Sequence, residues 1–296
     1  MTTKKTAFMI ICMGLLFAGS LTIVMEAKAQ DLPSTQLWLS KLDNGVPSKP
    51  LLISENDRYN NQPMFSPDGN YIYFTSEQDD GQTDIARYEM NSGQLSMVNH
   101  SPESEYSPTP IPDHNAVSVI RVEPPDQLQR LWSISTSNGK STLLMSKVEP
   151  VGYHSWIDHE SVAVFILGDS FSLHSATIGD QPSTFLADNI GRTIRKHPES
   201  GQILFVDKNS EPWSIASIGI DGKGQQEIMK LFPDVEDFEI DAKGRYWMGS
   251  GSKLYQSSED FGRWELTADF QAIGIYSITR LASSPDGKYF AIVGSR

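Results

Sequence analysis

The chain has 296 residues, of which 39% are hydrophobic and 10% aromatic, and it carries a formal net charge of -13. This length and apolar content suffice for one sizeable core or at most two domains. The negative charge repels phosphate backbones, so it argues against nucleic acid as a partner and favours a protein partner with a basic patch.

The first predicted element is a signal peptide over residues 1–29. Its start is basic, residues 7–24 are apolar, and residues 27–29 (Ala-Lys-Ala) offer a small-residue cleavage site. Because the apolar stretch is just long enough to span a bilayer, an uncleaved membrane anchor is the alternative. Cleavage before Gln30 removes Cys12, the only cysteine, with three lysines and one glutamate, so the mature chain has no thiol and a net charge of about -15.

Six short segments after residue 30 share one pattern, in which a turn precedes a run of β-branched and aromatic residues. They read NYIYFTS (70–76), AVSVIRV (116–122), SVAVFIL (161–167), QILFVDK (202–208), RYWMGSG (245–251) and KYFAIVG (288–294). Equivalent positions lie 46, 45, 40, 44 and 43 residues apart, which is the size of a four-stranded propeller blade. The sequence therefore predicts an all-β, six-bladed β-propeller that occupies residues 30–296 as a single domain.

The sixth blade is split between the two ends of the chain. Hairpin-like segments follow the first five central strands, but the chain ends directly after the sixth. The missing hairpin lies near the N-terminus, where LWLSKLDNG (37–45) aligns without a gap with LWSISTSNG (131–139) and shares its first two and last two residues. We therefore expect residues 35–53 to supply the outer strands of the sixth blade. Their pairing with the C-terminal strands closes the ring and removes exposed sheet edges.

Two of the repeats carry a family resemblance. FSPDGNYIYF (65–74) with TDIARYEMNSGQL (83–95), and SSPDGKYFAI (283–292), resemble the WD40-like repeats of TolB-type six-bladed propellers, in which a Ser-Pro-Asp-Gly turn precedes the central strand. The Ser-Pro pair is lost in the middle four blades. The resemblance implies a periplasmic, secreted or cell-envelope propeller that binds partners. TolB has an α/β domain before its propeller, whereas here only about five residues precede the first strand, so we expect that domain to be lacking.

Sequence motifs for catalysis are missing. The chain has no Gly-x-Ser-x-Gly elbow, no His-Glu-x-x-His pair, no Walker loop and no Cys-x-x-Cys. The polar cluster YHSWIDHE (153–160) is a candidate metal or acid–base group, but residues 158–160 stand where other blades have their turn. Strand alternation places His154 and Trp156 on the same side of the innermost strand. The segment SSEDFGRWE (257–265) resembles the Asp-box turn of sialidase-type propellers, one residue short, and a plain hairpin turn is the other interpretation.

The beginnings of the innermost strands are the candidates for a binding site, because these strands line the channel of a propeller. They carry a mixture of Tyr, Arg, acidic and other polar residues: Asn60, Gln62, Glu105, Tyr106, Tyr153, His154, Arg192, Arg195, Glu236, Asp237, Tyr276 and Arg280. The seven that we predict as binding residues are Tyr106, Tyr153, His154, Arg192, Arg195, Asp237 and Tyr276. Lactonase-type propellers, as a family, hold a calcium ion in the channel with Glu, Asp and Asn. Since arginine repels a divalent ion, we expect neither a metal nor another cofactor here.

Three functions remain open at this point. The first is a monomeric, non-catalytic module that binds an unidentified envelope protein, peptide or glycan. The second is a lactonase-like or sialidase-like propeller hydrolase, and the third is a detached relative of the propellers on prolyl-peptidase enzymes. We favour the binding module, because no nucleophile–base pair and no consistent set of metal ligands can be assembled from the sequence.

Overall fold

The computed structural model describes residues 32–43 and 45–295, so the predicted signal peptide lies outside the described residues. The described chain consists of strands, connecting turns and one 3₁₀ turn, Gln271–Ile273, and it contains no α-helix. Within these same residues no helix is long and apolar enough to cross a membrane.

The strands follow one another in chain order as consecutive antiparallel sheets, which we call blades. The chain begins with β1 (Gln36–Asp43), β2 (Val46–Pro47) and β3 (Leu51–Leu52). Blade 1 contains β4 (Asn60–Phe65), β5 (Tyr71–Glu77), β6 (Thr83–Glu89) and β7 (Leu95–Met97). Blade 2 contains β8 (Ser104–Pro110), β9 (Ala116–Glu123), β10 (Leu128–Ser135) and β11 (Ser141–Leu143). Blade 3 contains β12 (Val151–Trp156), β13 (Ser161–Ile166), β14 (Ser172–Thr177) and β15 (Thr184–Asp188).

The second half of the ring repeats this order. Blade 4 contains β16 (Ile190–Lys196), β17 (Ile203–Asp207), β18 (Ser214–Ile218) and β19 (Gln226–Lys230). Blade 5 contains β20 (Glu239–Ile240), β21 (Tyr246–Ser250), β22 (Lys253–Ser257) and β23 (Trp264–Asp269). The chain ends with β24 (Ser277–Ser283) and β25 (Tyr289–Ser295), which form blade 6 together with β1, β2 and β3.

The predicted central strands are confirmed. β5, β9, β13, β17, β21 and β25 each begin within one residue of the segment predicted from the repeat. They are nearly continuous apolar runs rather than alternating ones, because a neighbouring blade covers each face of the sheet. Phe74 of β5, Phe205 of β17 and Trp247 of β21 are examples, and each is fully buried.

The predicted closure of the ring is also confirmed. β1 pairs antiparallel with β25, in a register that runs from Gln36 opposite Gly294 to Lys41 opposite Tyr289. β24 lies on the other side of β25, while β2 and β3 pair with β1. Because the side chain of Leu37 is completely buried between blades 6 and 1, β1 contributes to the core as well as to the ladder.

The turns before the central strands explain why Ser and Asp recur in the sequence. Ser66 Oγ donates to Asp68 Oδ1 at 2.5 Å and accepts from the amide of Tyr71 at 2.9 Å, which fixes the start of β5. The same pattern recurs between β22 and β23, where Ser258 Oγ donates to Asp260 Oδ1 at 2.6 Å. The segment 257–265 thus forms a hairpin turn of blade 5.

The inner strands carry irregularities that shape the channel. Register shifts occur in β4, β8, β12, β16 and β24, in the first half of the strand or near its middle. In β4 and β8 the shift contains a positive-φ residue before a proline: Gln62 and Ser107, both with φ of 56°. Proline lacks the N–H that a ladder requires, so it is tolerated at this edge, which has no neighbouring strand. The bulges redirect side chains toward the channel.

Candidate functional site

The bulged parts of the inner strands line a small cavity in the channel, and we call this cavity and the charged residues around it the mouth. Its lining includes Gln62, Ser107, Tyr153, His154, Arg192, Thr193, Arg195, Asp237 and Arg280. The space that the centre of a water molecule can occupy is about 50 Å³. This is room for about three or four water molecules or for one small chemical group.

Three charged residues from three successive blades dominate the cavity. Asp237 precedes blade 5, and it accepts hydrogen bonds from Arg192 of blade 4 and Arg280 of blade 6. Arg192 Nε lies 3.0 Å from Asp237 Oδ2, and Arg280 Nη1 lies 2.7 Å from the same oxygen. Although burial by itself raises the pKa of Asp237, the charges of Arg192 and Arg280 outweigh it and hold this pKa below its usual range. Asp237 is therefore ionised, and both of its carboxylate oxygens accept hydrogen bonds from arginine.

Two further ion pairs surround this cluster. Arg195 Nε donates to Glu239 Oε2 at 2.8 Å, and Lys208 Nζ lies 2.7 Å from Glu236 Oε1. Burial raises the pKa of Glu239, and the positive charge of Arg195 offsets this effect only in part. The four cations, Arg192, Arg195, Lys208 and Arg280, face three carboxylates, Glu236, Asp237 and Glu239. With these groups ionised, the mouth of the channel carries one surplus positive charge in a protein whose net charge is -13.

Aromatic rings complete the mouth. The guanidinium carbon of Arg280 lies 5.8 Å from the centre of the Tyr153 ring. Tyr153 belongs to blade 3 and Arg280 to blade 6, so this contact crosses the ring from one side to the other. The rings of Tyr59 and Tyr106 pack edge to face at 6.4 Å. Burial, reinforced by Tyr153, raises the pKa of Tyr59, so its hydroxyl keeps its proton at neutral pH.

His154 reaches the cavity but is bound by the neighbouring blade. Its Nε2 lies 2.6 Å from Ser118 Oγ, which also accepts from Trp156 Nε1 at 2.8 Å and donates to Thr109 O at 3.0 Å. Ser118 has one proton, and if Thr109 accepts it, His154 Nε2 must donate its own. Nδ1 is then a buried acceptor, and it has no partner among the described residues. Burial lowers the pKa of His154 to about 3, so the ring is neutral.

The structure brings together five of the seven predicted binding residues: Tyr153, His154, Arg192, Arg195 and Asp237 all line the cavity. Tyr106 lies behind it against Tyr59. Tyr276 lies directly before β24, is 56% exposed and does not line the cavity. The polar cluster at 158–160 forms a turn, in which Asp158 Oδ1 accepts from the amides of Glu160 and Ser161 at 2.8 Å.

Sequence reasoning missed several residues of the mouth. Ser107 and Thr193 line the cavity but lie inside bulges, so strand position alone did not indicate them. Tyr59 stands just before β4 and packs against Tyr106 outside the cavity lining. The pairs Gln62-Pro63 and Ser107-Pro108 were the available signal, because a proline inside an inner strand indicates a bulge. Arg280 belonged to the wider candidate set and proves to be central to the charge cluster.

The chemistry of the mouth is that of a polar, cationic surface. The carboxylates Glu236, Asp237 and Glu239 each accept a hydrogen bond from a cationic side chain. Over the part of the chain that the structure describes, no three His, Cys, Asp or Glu side chains are grouped so that they could hold a metal ion. The free hydrogen-bonding capacity lies instead in arginine N–H groups and tyrosine hydroxyls, which suit an acceptor group.

Comparison with known proteins shows the fold. No family model matches the sequence, and neither does any curated protein. A protein that bears the name TolB, from Agrobacterium tumefaciens, superposes with a TM-score of 0.71 at 16% identity, over 88% of this chain and 98% of that one. TolB from Acinetobacter baumannii gives a TM-score of 0.58 at 11% identity, over 90% of this chain and 65% of that one.

A gluconolactonase from Xanthomonas campestris is also similar, with a TM-score of 0.63 at 9% identity, over 90% of this chain and 97% of that one. At such low identities the likeness concerns the fold rather than the activity. The chain has the six-bladed β-propeller fold of TolB-type proteins.

Proposed function

We propose that this chain is an exported, non-catalytic binding module that receives a protein, peptide or glycan partner at the mouth of its channel. The observation that carries the proposal is the Arg192–Asp237–Arg280 cluster beside Tyr153. Tyrosine and arginine are over-represented among the residues that dominate binding energy, and here they converge from separate blades on one point. Because Arg280 and Tyr153 meet across the ring, a partner contacts the mouth rather than threading the channel.

The state of the ionisable groups argues against acid–base catalysis. A general base needs a free lone pair within reach of the substrate and a pKa near the working pH. Asp237 is held by two arginines, and burial keeps His154 neutral far below that pH. Lys208 and Arg195 likewise occupy the other two carboxylates of the mouth.

Lactone hydrolysis is the second candidate, because a gluconolactonase shares the fold over 97% of its own length. Lactone hydrolysis by this chain would require a free carboxylate or a bound metal in the channel. Purified protein can be tested directly with gluconolactone and with a chelator. Hydrolysis that a chelator abolishes, or that is lost on replacement of one carboxylate, would replace the binding proposal with the enzymatic one.

Export to the periplasm or the exterior is part of the proposal and rests on the sequence of residues 1–29. Mass spectrometry of the natural protein should find a mature chain that begins at Gln30. A full-length chain recovered from membranes would support the anchor instead.

Partner capture tests the binding function. Protein immobilised from residue 30 onward is incubated with an envelope extract, and the retained material is quantified for the wild type, Arg280→Gln and Arg263→Gln. Arg263 is a matched control, because it loses the same charge from a side chain that is 73% exposed. We expect Arg280→Gln to lower capture about ten-fold and the control to leave it unchanged. Equal capture by all three proteins would refute a role for the mouth.

A further inference from the structure

We infer that the partner group that enters the cavity is a carboxylate, bound between Arg280, Arg192 and Tyr153. The inference rests on the proposed binding function and specifies the chemistry of its ligand. The carboxylate belongs either to the end of a peptide chain or to an acidic sugar, and the experiment below separates these two sources.

Arg280 has unused donors at the cavity wall. Its Nη1 donates to Asp237 and to Thr279 O at 2.9 Å, whereas its Nε and Nη2 donate to none of the described residues. The side chain is only 12% exposed, so most of it is withdrawn from bulk water. An enclosed guanidinium with free N–H groups lacks compensation for its lost hydration unless water or a ligand accepts from it.

Arg192 and Tyr153 add further donors around the same cavity. Arg192 uses Nε and Nη2 on Asp237, while its Nη1 stays 4.0 Å from the nearest oxygen of Glu236. The hydroxyl of Tyr153, which also lines the cavity, makes no hydrogen bond to any residue that the structure describes. These groups can donate to one oxygen-bearing guest while Asp237 keeps its hydrogen bonds to Arg192 and Arg280.

Charge and shape select a carboxylate among anions. With Glu236, Asp237 and Glu239 ionised, the mouth has one surplus positive charge, which a monovalent anion neutralises. A divalent anion such as hydrogen phosphate would leave an uncompensated negative charge within a protein that is already strongly acidic. Two adjacent N–H groups of a guanidinium match the two oxygens of a planar carboxylate. The space of about 50 Å³ available to water centres accommodates such a group but not a sugar ring.

Titration with sodium acetate at pH 7, against sodium chloride at the same ionic strength, tests the inference by calorimetry and thermal shift. For a ligand of four heavy atoms we expect a saturable response with a dissociation constant of about 0.1 to 10 mM. Arg280→Gln should weaken acetate binding at least ten-fold, roughly the loss of one charge-assisted pair. Tyr153→Phe removes only a hydroxyl, so it should fold normally and weaken binding about three- to five-fold. Arg263→Gln should bind as the wild type does.

Three outcomes would overturn the carboxylate assignment. The first is a response to acetate that does not exceed the response to chloride, and the second is stronger saturation by phosphate. The third is unchanged acetate affinity in folded Arg280→Gln and Tyr153→Phe. A tripeptide with a free C-terminus, its amidated form and glucuronate then distinguish a peptide end from an acidic sugar. Partner capture that continues while acetate fails to bind would refute this inference alone, whereas acetate binding without capture would refute the proposed function.

Discussion

Burial of His154 should make the stability of the propeller depend on pH. The ring is enclosed between blades 2 and 3, and a second proton would have to enter at Nδ1, which has no acceptor among the described residues. Its pKa is therefore lowered from 6.5 to about 3 in the folded chain. In the unfolded chain the ring returns to its ordinary value, so acid favours unfolding.

The sign and size of the effect follow from these two values. Because the folded pKa lies below the unfolded one, the stabilisation from neutral His154 is complete above pH 6.5 and is lost as the pH falls toward 3. Each pH unit inside this window costs about 1.4 kcal/mol, so the loss between neutral pH and pH 5 is about 2 kcal/mol. Carboxylates that titrate near pH 5 contribute to wild type and variant alike and cancel in their difference.

Urea unfolding of wild type and His154→Gln at pH 7.5 and pH 5 measures this contribution. Glutamine can still donate to Ser118 Oγ but cannot be protonated, so it should cost about 1 to 2 kcal/mol at pH 7.5 and lose about 2 kcal/mol less than the wild type at pH 5. His159→Gln is the matched control, since His159 lies in the exposed turn of the same blade. Parallel pH curves for wild type and His154→Gln would refute the burial of a neutral ring.

Three further predictions concern closure, charge and packing. Leu37→Ala should destabilise the ring by about 2 to 5 kcal/mol, whereas Leu51→Ala, at a side chain 59% exposed in the same blade, should cost less than about 0.5 kcal/mol in urea unfolding. Asp237→Asn leaves Arg192 and Arg280 without their anion and should cost about 3 to 5 kcal/mol; a smaller loss would mean that solvent already screens the cluster. Gly249→Ala places a Cβ 2.3 Å from Cγ2 of Ile278, so the melting temperature should fall by several degrees.

The ring could be predicted from the sequence because its determinants are local. Each blade needs a turn that Ser, Asp and Gly can make and a central strand that is apolar on both faces, and both recur at a readable period. Closure followed from one comparison, between residues 37–45 and 131–139. Pairing of Trp38 with Ile292 in β25 then satisfies a sheet edge that the chain would otherwise expose.

The candidate site was only partly predictable, because its contacts join strands of different blades. Alternation correctly placed His154 beside Trp156, since both bind Ser118. Nothing in the local pattern indicated that Ser118, 36 residues earlier, would enclose the ring. Arg192 and Asp237 were both predicted as binding residues. Their pairing across 45 residues was not predicted, because it too joins two different blades.

The ion pairs at the mouth have a second consequence for how the site works. A buried pair contributes little net stability compared with apolar residues of the same size, because desolvation of the charges opposes their attraction. It does fix geometry, since Asp237 holds Arg192 and Arg280 in position before any ligand arrives. A preorganised guanidinium loses less freedom on binding than a flexible one, so the remaining N–H groups of Arg280 are directed toward the cavity at little further cost. The carboxylate of Asp237 thus acts as a positioning group for Arg192 and Arg280. It neutralises only one of their two positive charges, so the other remains available to a partner.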